Sequence, residues 1–232
     1  MDIVIAGPGK NALSTALLES LRDQIEAAGN EPLFVYGEGD VFSAGLNLKE
    51  ILAADEAAML HFFDLLNRVV GSLFRHPAPT VACVTGHAIA GGAIVARACD
   101  VAIGPTHEKV KIGLNETALG LPFPPPLLRM MVHRLPRRYH TRVFLEGTLF
   151  NPQQACEVGF LDDLANKPIV TARERFEALS KLAGPAYADN KAQLLGEVGL
   201  VDPAERERFA QDVLPVWISP ELKARIAAMF DK

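Results

Sequence analysis

In residues 80–100, TVACVTGHAIAGGAIVARACD, an apolar run gives way to a glycine-bearing turn and then to a helix-compatible segment. Val81, Ala82, Cys83 and Val84 are continuously apolar, as in a strand covered on both faces. Gly86 breaks the run, and the pair Gly91-Gly92 lets backbone come close to whatever lies above it. Glycine N–H groups at a helix start carry partial positive charge and can hold an anion. The chemistry this spacing supports is stabilisation of a transient oxyanion. Ser43-Ala44-Gly45 has a similar character, because its small side chains expose the backbone of Ala44. Either triplet alone reads equally well as a tight turn. Among Ile112, Leu114, Leu119 and Leu121 sits one carboxylate, Glu116, which such neighbours would desolvate and shift to a higher pKa. It also reads as a helix-start acid after Asn115.

These groups need elements to hold them. Residues 2–6 predict a strand and 7–9 a turn. The spacing of Leu13, Leu17, Leu18, Leu21 and Ile25 predicts a helix face that ends at Gly29-Asn30. A second strand over 32–36 leads into the loop GEGDVFSAGLNLKEI. A helix over 59–74 presents Phe62, Leu65, Leu66, Val69, Val70 and Leu73, and His76-Pro77-Ala78-Pro79 stops it. Short strands are expected at 101–103 and 109–112. The prolines of GLNETALGLPFPPP predict a stiff, irregular segment rather than a helix. Helix resumes over 127–132 and again over 139–145. Asn151-Pro152 has the cap-and-proline pattern of a helix start, Gly159 ends that helix, and 160–164 form a last short element. This alternation predicts an α/β layered fold. From residue 167 the chain becomes charge-rich amphipathic helix, which divides it into a core, 1–166, and a helical region, 167–232. The stripe Leu222, Ile226, Met229 and Phe230 requires cover from the same chain or from a second copy.

A chain of 232 residues can bury one large core. Its net charge of −5 disfavours a nucleic-acid partner, which needs a basic face. Cys83, Cys99 and Cys156 show no CxxC spacing, so reduced thiols in the cytoplasm and no metal site are expected. MDIVIAGPGK lacks the basic leader of a signal peptide, and no stretch is expected to reach membrane-spanning length.

Several segments, in order, resemble one family. VFSAGLNLKE is similar to the first oxyanion loop of the crotonase (enoyl-CoA hydratase/isomerase) superfamily, and TGHAIAGGAIVARACDVAIG to its second loop, helix and strand. IGLNETALGL falls where the family carries a catalytic acid, and LEGTLFNPQQACEVGFLDDL resembles the helix and strand that follow. The resemblance covers residues 2–164 and is specific because several segments agree in order and spacing. It implies a crotonase-like ββα spiral core with a C-terminal α-helical oligomerisation region. It further implies an acyl-CoA thioester substrate, no cofactor beyond the coenzyme A of that substrate, and a homotrimer or dimer of trimers.

Carried onto this sequence, the resemblance implies Ala44 and Gly91 as the backbone N–H donors to the thioester oxygen. Ser43, Leu46, Leu48, Gly92, Ile94, Leu119 and Phe123 are then expected around the substrate. Enoyl-CoA hydratases carry two glutamates; the first position is Ile94 here and the second is Glu116. Hydration needs one carboxylate to activate water and a partner to hold it. A double-bond shift needs one base that takes a proton from C2 and returns it at C4. The pattern is similar to that of Δ3,Δ2-enoyl-CoA isomerases and implies Glu116 as the single acid/base. Hydrolysis, decarboxylation or hydration on the same scaffold, or a non-catalytic scaffold, are the competing expectations. His87 reads as a core histidine. The basic residues of 129–142 read as surface or as a CoA-phosphate site, and Lys49 as exposed or near the nucleotide.

Overall fold

A computed structural model of the chain describes residues 1–198 and 202–230. Residues 199–201 and 231–232, within the expected helical region, lie outside the described residues. The main sheet is parallel, in the order β1-β2-β3-β5-β8. Its strands are β1 Asp2–Ile5, β2 Leu33–Gly37, β3 Thr80–Cys83, β5 Val101–Pro105 and β8 Asp163–Ala165. Phe34 lies opposite Val81, and Ala82 lies opposite Val35 on one side and Ala102 on the other.

Cover on both faces explains the continuous apolar run at 81–84. Leu33, Val35, Ala82 and Ala102 belong to the large core shared with the helices Thr15–Ala28, Glu56–Phe74 and Gly91–Ala98. Phe34, Val81, Cys83 and Ile103 face the opposite way, against Ala172, Phe176 and Leu179 of the Pro168–Ser180 helix. A second, small sheet orders β4 Ala88–Ile89, β6 Ile112–Gly113 and β7 Leu149–Phe150. β4 and β6 run parallel and bring the Gly86–Gly92 turn beside the segment that carries Glu116. Two-residue strands show no periodicity, so β4 and β7 left no mark in the pattern of residues.

Helix ends follow local chemistry. Ser14 caps Thr15–Ala28 by accepting the Leu17 N–H, and Asn151 and Gln154 form a reciprocal capping box on Pro152–Val158. Several boundaries differ from expectation. The loop after β2 contains a helix, Leu48–Ala53, whose N-cap Asn47 accepts the N–H groups of Lys49 and Glu50. The proline-rich segment contains the short helix Glu116–Leu119, and Pro125–Arg134 starts on prolines, where a missing N–H costs nothing. The helix expected over 139–145 is a 3-10 turn, Arg137–Tyr139, followed by a π turn, Thr141–Leu145. The strand expected at 109–112 shrinks to β6.

Contrary to the expectation that no stretch reaches spanning length, the 19-residue Glu56–Phe74 helix is long and apolar enough to cross a membrane, with a mean hydropathy of 1.2. In this fold it is a core helix, burying Met59, Phe62, Phe63, Leu65, Leu66, Val69, Val70, Leu73 and Phe74. The C-terminal segment docks on it. Trp217 lies edge-on to Phe63 with centroids 4.7 Å apart, and its Nε1 donates to the Pro122 carbonyl at 3.1 Å. Leu222 and Ile226 of the Pro220–Ala227 helix are buried by the same chain, whereas Met229 and Phe230 stay partly exposed.

Candidate active site

Two backbone segments meet where Ser43 bridges Ala88 and Leu46 bridges Leu13. Glycines permit the approach. A Cβ on Gly92 would fall 2.6 Å from the Ser43 carbonyl oxygen, and one on Gly45 2.7 Å from that of Ile89. Ala90, which caps the Gly91–Ala98 helix, holds φ +51 and ψ −122, a conformation that residues with a Cβ seldom adopt. Its N–H donates to the Gly113 carbonyl at 2.8 Å, so the following N–H, that of Gly91, opens the helix without an acceptor among the described residues.

The partner donor differs from expectation. The Ala44 N–H donates to the Lys10 carbonyl at 3.0 Å and is not available to a ligand. The neighbouring groups are also engaged: Phe42 and Ser43 donate to the His87 carbonyl, Asn47 to that of Leu13, and Gly45 to Ser43 Oγ at 3.2 Å. In this run only the Leu46 N–H has no acceptor among the described residues. The sequence pattern exposes the backbone of the whole SAGL segment alike, so the choice between its N–H groups was not visible in it.

Around these groups lies a cavity of about 200 Å³, lined by Ala44, Leu46, Leu48, Ile89, Ala90, Asn115, Glu116, Leu119, Leu121 and Met229. Among the described residues that line it, Glu116 is the only ionisable one. It is 5% exposed, and its Oε2 has no hydrogen-bond partner among the described residues. Burial pushes its carboxyl up to about 7, against the smaller opposing pull of the N–H groups of Glu116 itself and Asn115. A second hollow of about 440 Å³ shares Ala44, Leu46 and Leu48 with this cavity and is also lined by Pro8, Gly9, Ala12, Asn47, Lys49 and Phe230.

Ala44, Leu46, Leu48, Glu116 and Leu119 are thus brought together at the cavity, with Gly91 directly behind Ala90. Ser43, Gly92, Ile94 and Phe123 fall outside its lining. Ser43 is fully buried and donates its hydroxyl to the Asn11 carbonyl, Ile94 packs in the core, and Phe123 meets Phe144 edge-on. His87 is structural: its Nδ1 accepts the Lys111 N–H at 2.9 Å. The basic run is partly occupied, since Arg129 pairs with Glu205, Arg134 contacts Asp100 and Phe74, and Arg142 lies over Phe150. The pattern of residues gave no sign of Ile89, Ala90 and Met229 as wall residues. Met229 reaches the site from the far end of the chain, where sequence proximity carries no signal.

A largely apolar pocket that holds, among its described lining residues, one carboxyl of near-neutral pKa near N–H donors without acceptors suits proton abstraction next to a carbonyl, with the N–H groups taking the negative oxygen.

The family model described as enoyl-CoA hydratase/isomerase matches residues 1–205. The mitochondrial enoyl-CoA delta isomerase 1 of Mus musculus is 30% identical over 170 residues, covering 73% of this chain and 59% of that protein. This chain therefore spans about three fifths of that isomerase's length. A putative enoyl-CoA hydratase of Thermus thermophilus is 28% identical over 232 residues, covering 95% of this chain and 88% of that one. The crystal structure of human mitochondrial delta3-delta2-enoyl-CoA isomerase superposes with a TM-score of 0.82 at 24% identity, covering 99% of this chain and 93% of that one. At that identity it speaks for the fold.

Proposed function

The chain belongs to the enoyl-CoA hydratase/isomerase (crotonase) family, and from that premise we propose that it shifts a double bond from Δ3 to Δ2 in an enoyl-CoA. The observation that carries this reading is the carboxyl in the cavity: Glu116 has no ionisable partner among the described lining residues, and Ile94 stands where the family resemblance puts a hydratase's other glutamate.

Glu116 in its ionised form takes a proton from C2 of the thioester. The C2–H electrons delocalise into the thioester, giving a dienolate that spans C4 to the carbonyl oxygen. The N–H groups of Gly91 and Leu46 hold that oxygen; one such donor is worth about 3 kcal/mol of barrier. Glu116, now neutral, returns the proton at C4, and the double bond settles between C2 and C3. A carboxyl near 7 suits both steps, since it is neither too weak to accept the proton nor too strong to return it. The apolar walls Leu119, Leu121 and Met229 keep water from the dienolate. The hollow beside Lys49 and Phe230 would take the remainder of the CoA ester. The thiols of Cys83 and Cys99 are buried and free, which supports a reducing compartment such as the cytoplasm.

The test is incubation with a 3-enoyl-CoA and, separately, with a 2-enoyl-CoA, followed by mass spectrometry and absorbance of the conjugated thioester. Conjugation of the first without addition of water to the second is the expected result. Robust hydration of the second would replace isomerase by hydratase.

A further inference from the structure

We infer that the left-handed turn Gly9-Lys10-Asn11 decides which N–H of the 42–47 segment is left free, with Asn11 as the positioning residue of the oxyanion site. The inference rests on the proposed thioester chemistry and adds to it a device that holds one of its donors in register.

The turn is unusual in itself. Gly9, Lys10 and Asn11 have φ of +66, +62 and +57 in succession. Glycine adopts this region freely and asparagine tolerates it, but lysine does so only when its surroundings impose it. Such strain is held where the surrounding contacts over-determine it. The Asn11 side chain supplies those contacts. It is 4% exposed. Its Oδ1 accepts the Gly7 N–H at 3.1 Å, and its Nδ2 donates to the carbonyls of Glu38 and Val41, each at 2.9 Å. A single side chain therefore ties the turn to the start of the loop that carries the donor.

The backbone of the turn then fixes the loop's register. The Lys10 carbonyl takes the Ala44 N–H, and the Asn11 carbonyl takes the Ser43 hydroxyl at 2.8 Å. That hydroxyl in turn accepts the Gly45 N–H. Leu13 continues the zipper, donating to the Gly45 carbonyl at 2.7 Å and accepting from Asn47 at 2.9 Å. Each bond removes a competing donor, and the Leu46 N–H remains. A right-handed turn at 9–11 would aim the Lys10 carbonyl elsewhere and free the Ala44 N–H, which would blur the anion site over several groups. A preorganised donor is effective because it need not reorient as charge develops. Positioning, rather than contact with the substrate, is what this turn contributes.

The test uses the full chain with dimethylaminocinnamoyl-CoA, a chromophoric enoyl thioester with no hydrogen on C4, so that it binds without isomerising. Its absorption moves to longer wavelength when its carbonyl is polarised. The wild-type protein is expected to produce that shift. Asn11→Asp, which replaces the Nδ2 donor by an oxygen facing two carbonyls, is expected to lose most of it. Its kcat on 3-enoyl-CoA should fall about 100-fold, the loss typical of a displaced oxyanion donor, with KM little changed. Ser43→Ala removes only one hydroxyl of the zipper, is expected to fold, and should give a smaller loss of the same kind; it decides the matter if Asn11→Asp does not fold. A shift and kcat unchanged in folded variants, or a loss confined to KM, would overturn the inference. No shift in the wild-type protein would overturn the thioester reading beneath it instead.

Discussion

Glu116 combines a carboxyl with almost complete burial, and its chemistry follows from that conflict. An exposed glutamate is too weak a base at its ordinary pKa to take a proton from carbon at a useful rate, and burial raises it to about 7. Turnover is therefore expected to rise with pH and level off above about 7, as the ionised fraction grows. The same shift acts on stability in the opposite sense. A carboxyl whose folded pKa lies above its unfolded value stabilises the fold below about 4.5, and that contribution is lost as pH rises through about 7. Glu116→Gln has no such group to ionise. It should abolish isomerisation, leave CoA-ester binding largely intact, and gain stability relative to wild type by on the order of 3 kcal/mol between pH 4.5 and 8. Urea denaturation of both proteins across that range checks it; a constant difference would mean that Glu116 is solvated in solution.

Among elements, the site depends on how closely the 42–47 segment and the Gly91–Ala98 helix approach each other. Gly92 lies where a Cβ would press on the Ser43 carbonyl oxygen at 2.6 Å and on Ser43 Cβ at 2.8 Å. Both neighbours are fixed, one as backbone and the other as a buried side chain, so neither swings aside. Gly92→Ala gains helix propensity of about 1 kcal/mol but forces the two segments apart. The expected net result is destabilisation of about 1–3 kcal/mol, read as a lower urea midpoint with an unchanged slope, together with a loss of activity larger than that stability loss explains. Activity retained at the wild-type level would show that the segments tolerate separation. The C-terminal helix supports the other side of the cavity: the Arg225 guanidinium donates to the Leu119 carbonyl at 3.1 Å, at the end of the short helix that Glu116 begins.

At the scale of the molecule, the helices after residue 167 divide their apolar surface. Ala172, Phe176 and Leu179 cover the main sheet, while Trp217, Leu222 and Ile226 enter the large core. Other apolar side chains remain outside: Leu145, Leu182 and Leu194 are 68%, 61% and 76% exposed. Singly exposed apolar side chains are ordinary on a protein surface, so the assembly rests on the family resemblance. We propose a trimer or a pair of trimers. Light scattering should give a mass of about 75 or 150 kDa from the 25.1 kDa chain, and a monomer mass at working concentration would refute the assembly.

The sequence alone determined the features that depend on neighbours in the chain. The turn at Gly91-Gly92, the cap at Asn151 and the apolar run of β3 are all local chemistry, and the structure has each where its residues imply. Tertiary structure decided what depends on distant partners. Ala44 and Leu46 look alike as backbone donors until the Lys10 carbonyl occupies one of them. Burial takes the Glu116 carboxyl up to about 7, and its cavity joins the sequence neighbours Leu119 and Leu121 to Leu46 and Met229 from distant parts of the chain. Propensity and pattern act over a few residues, whereas hydrogen-bond competition acts through space, so the candidate Glu116 and the direction of its pKa shift were legible and the register of the donor loop was not.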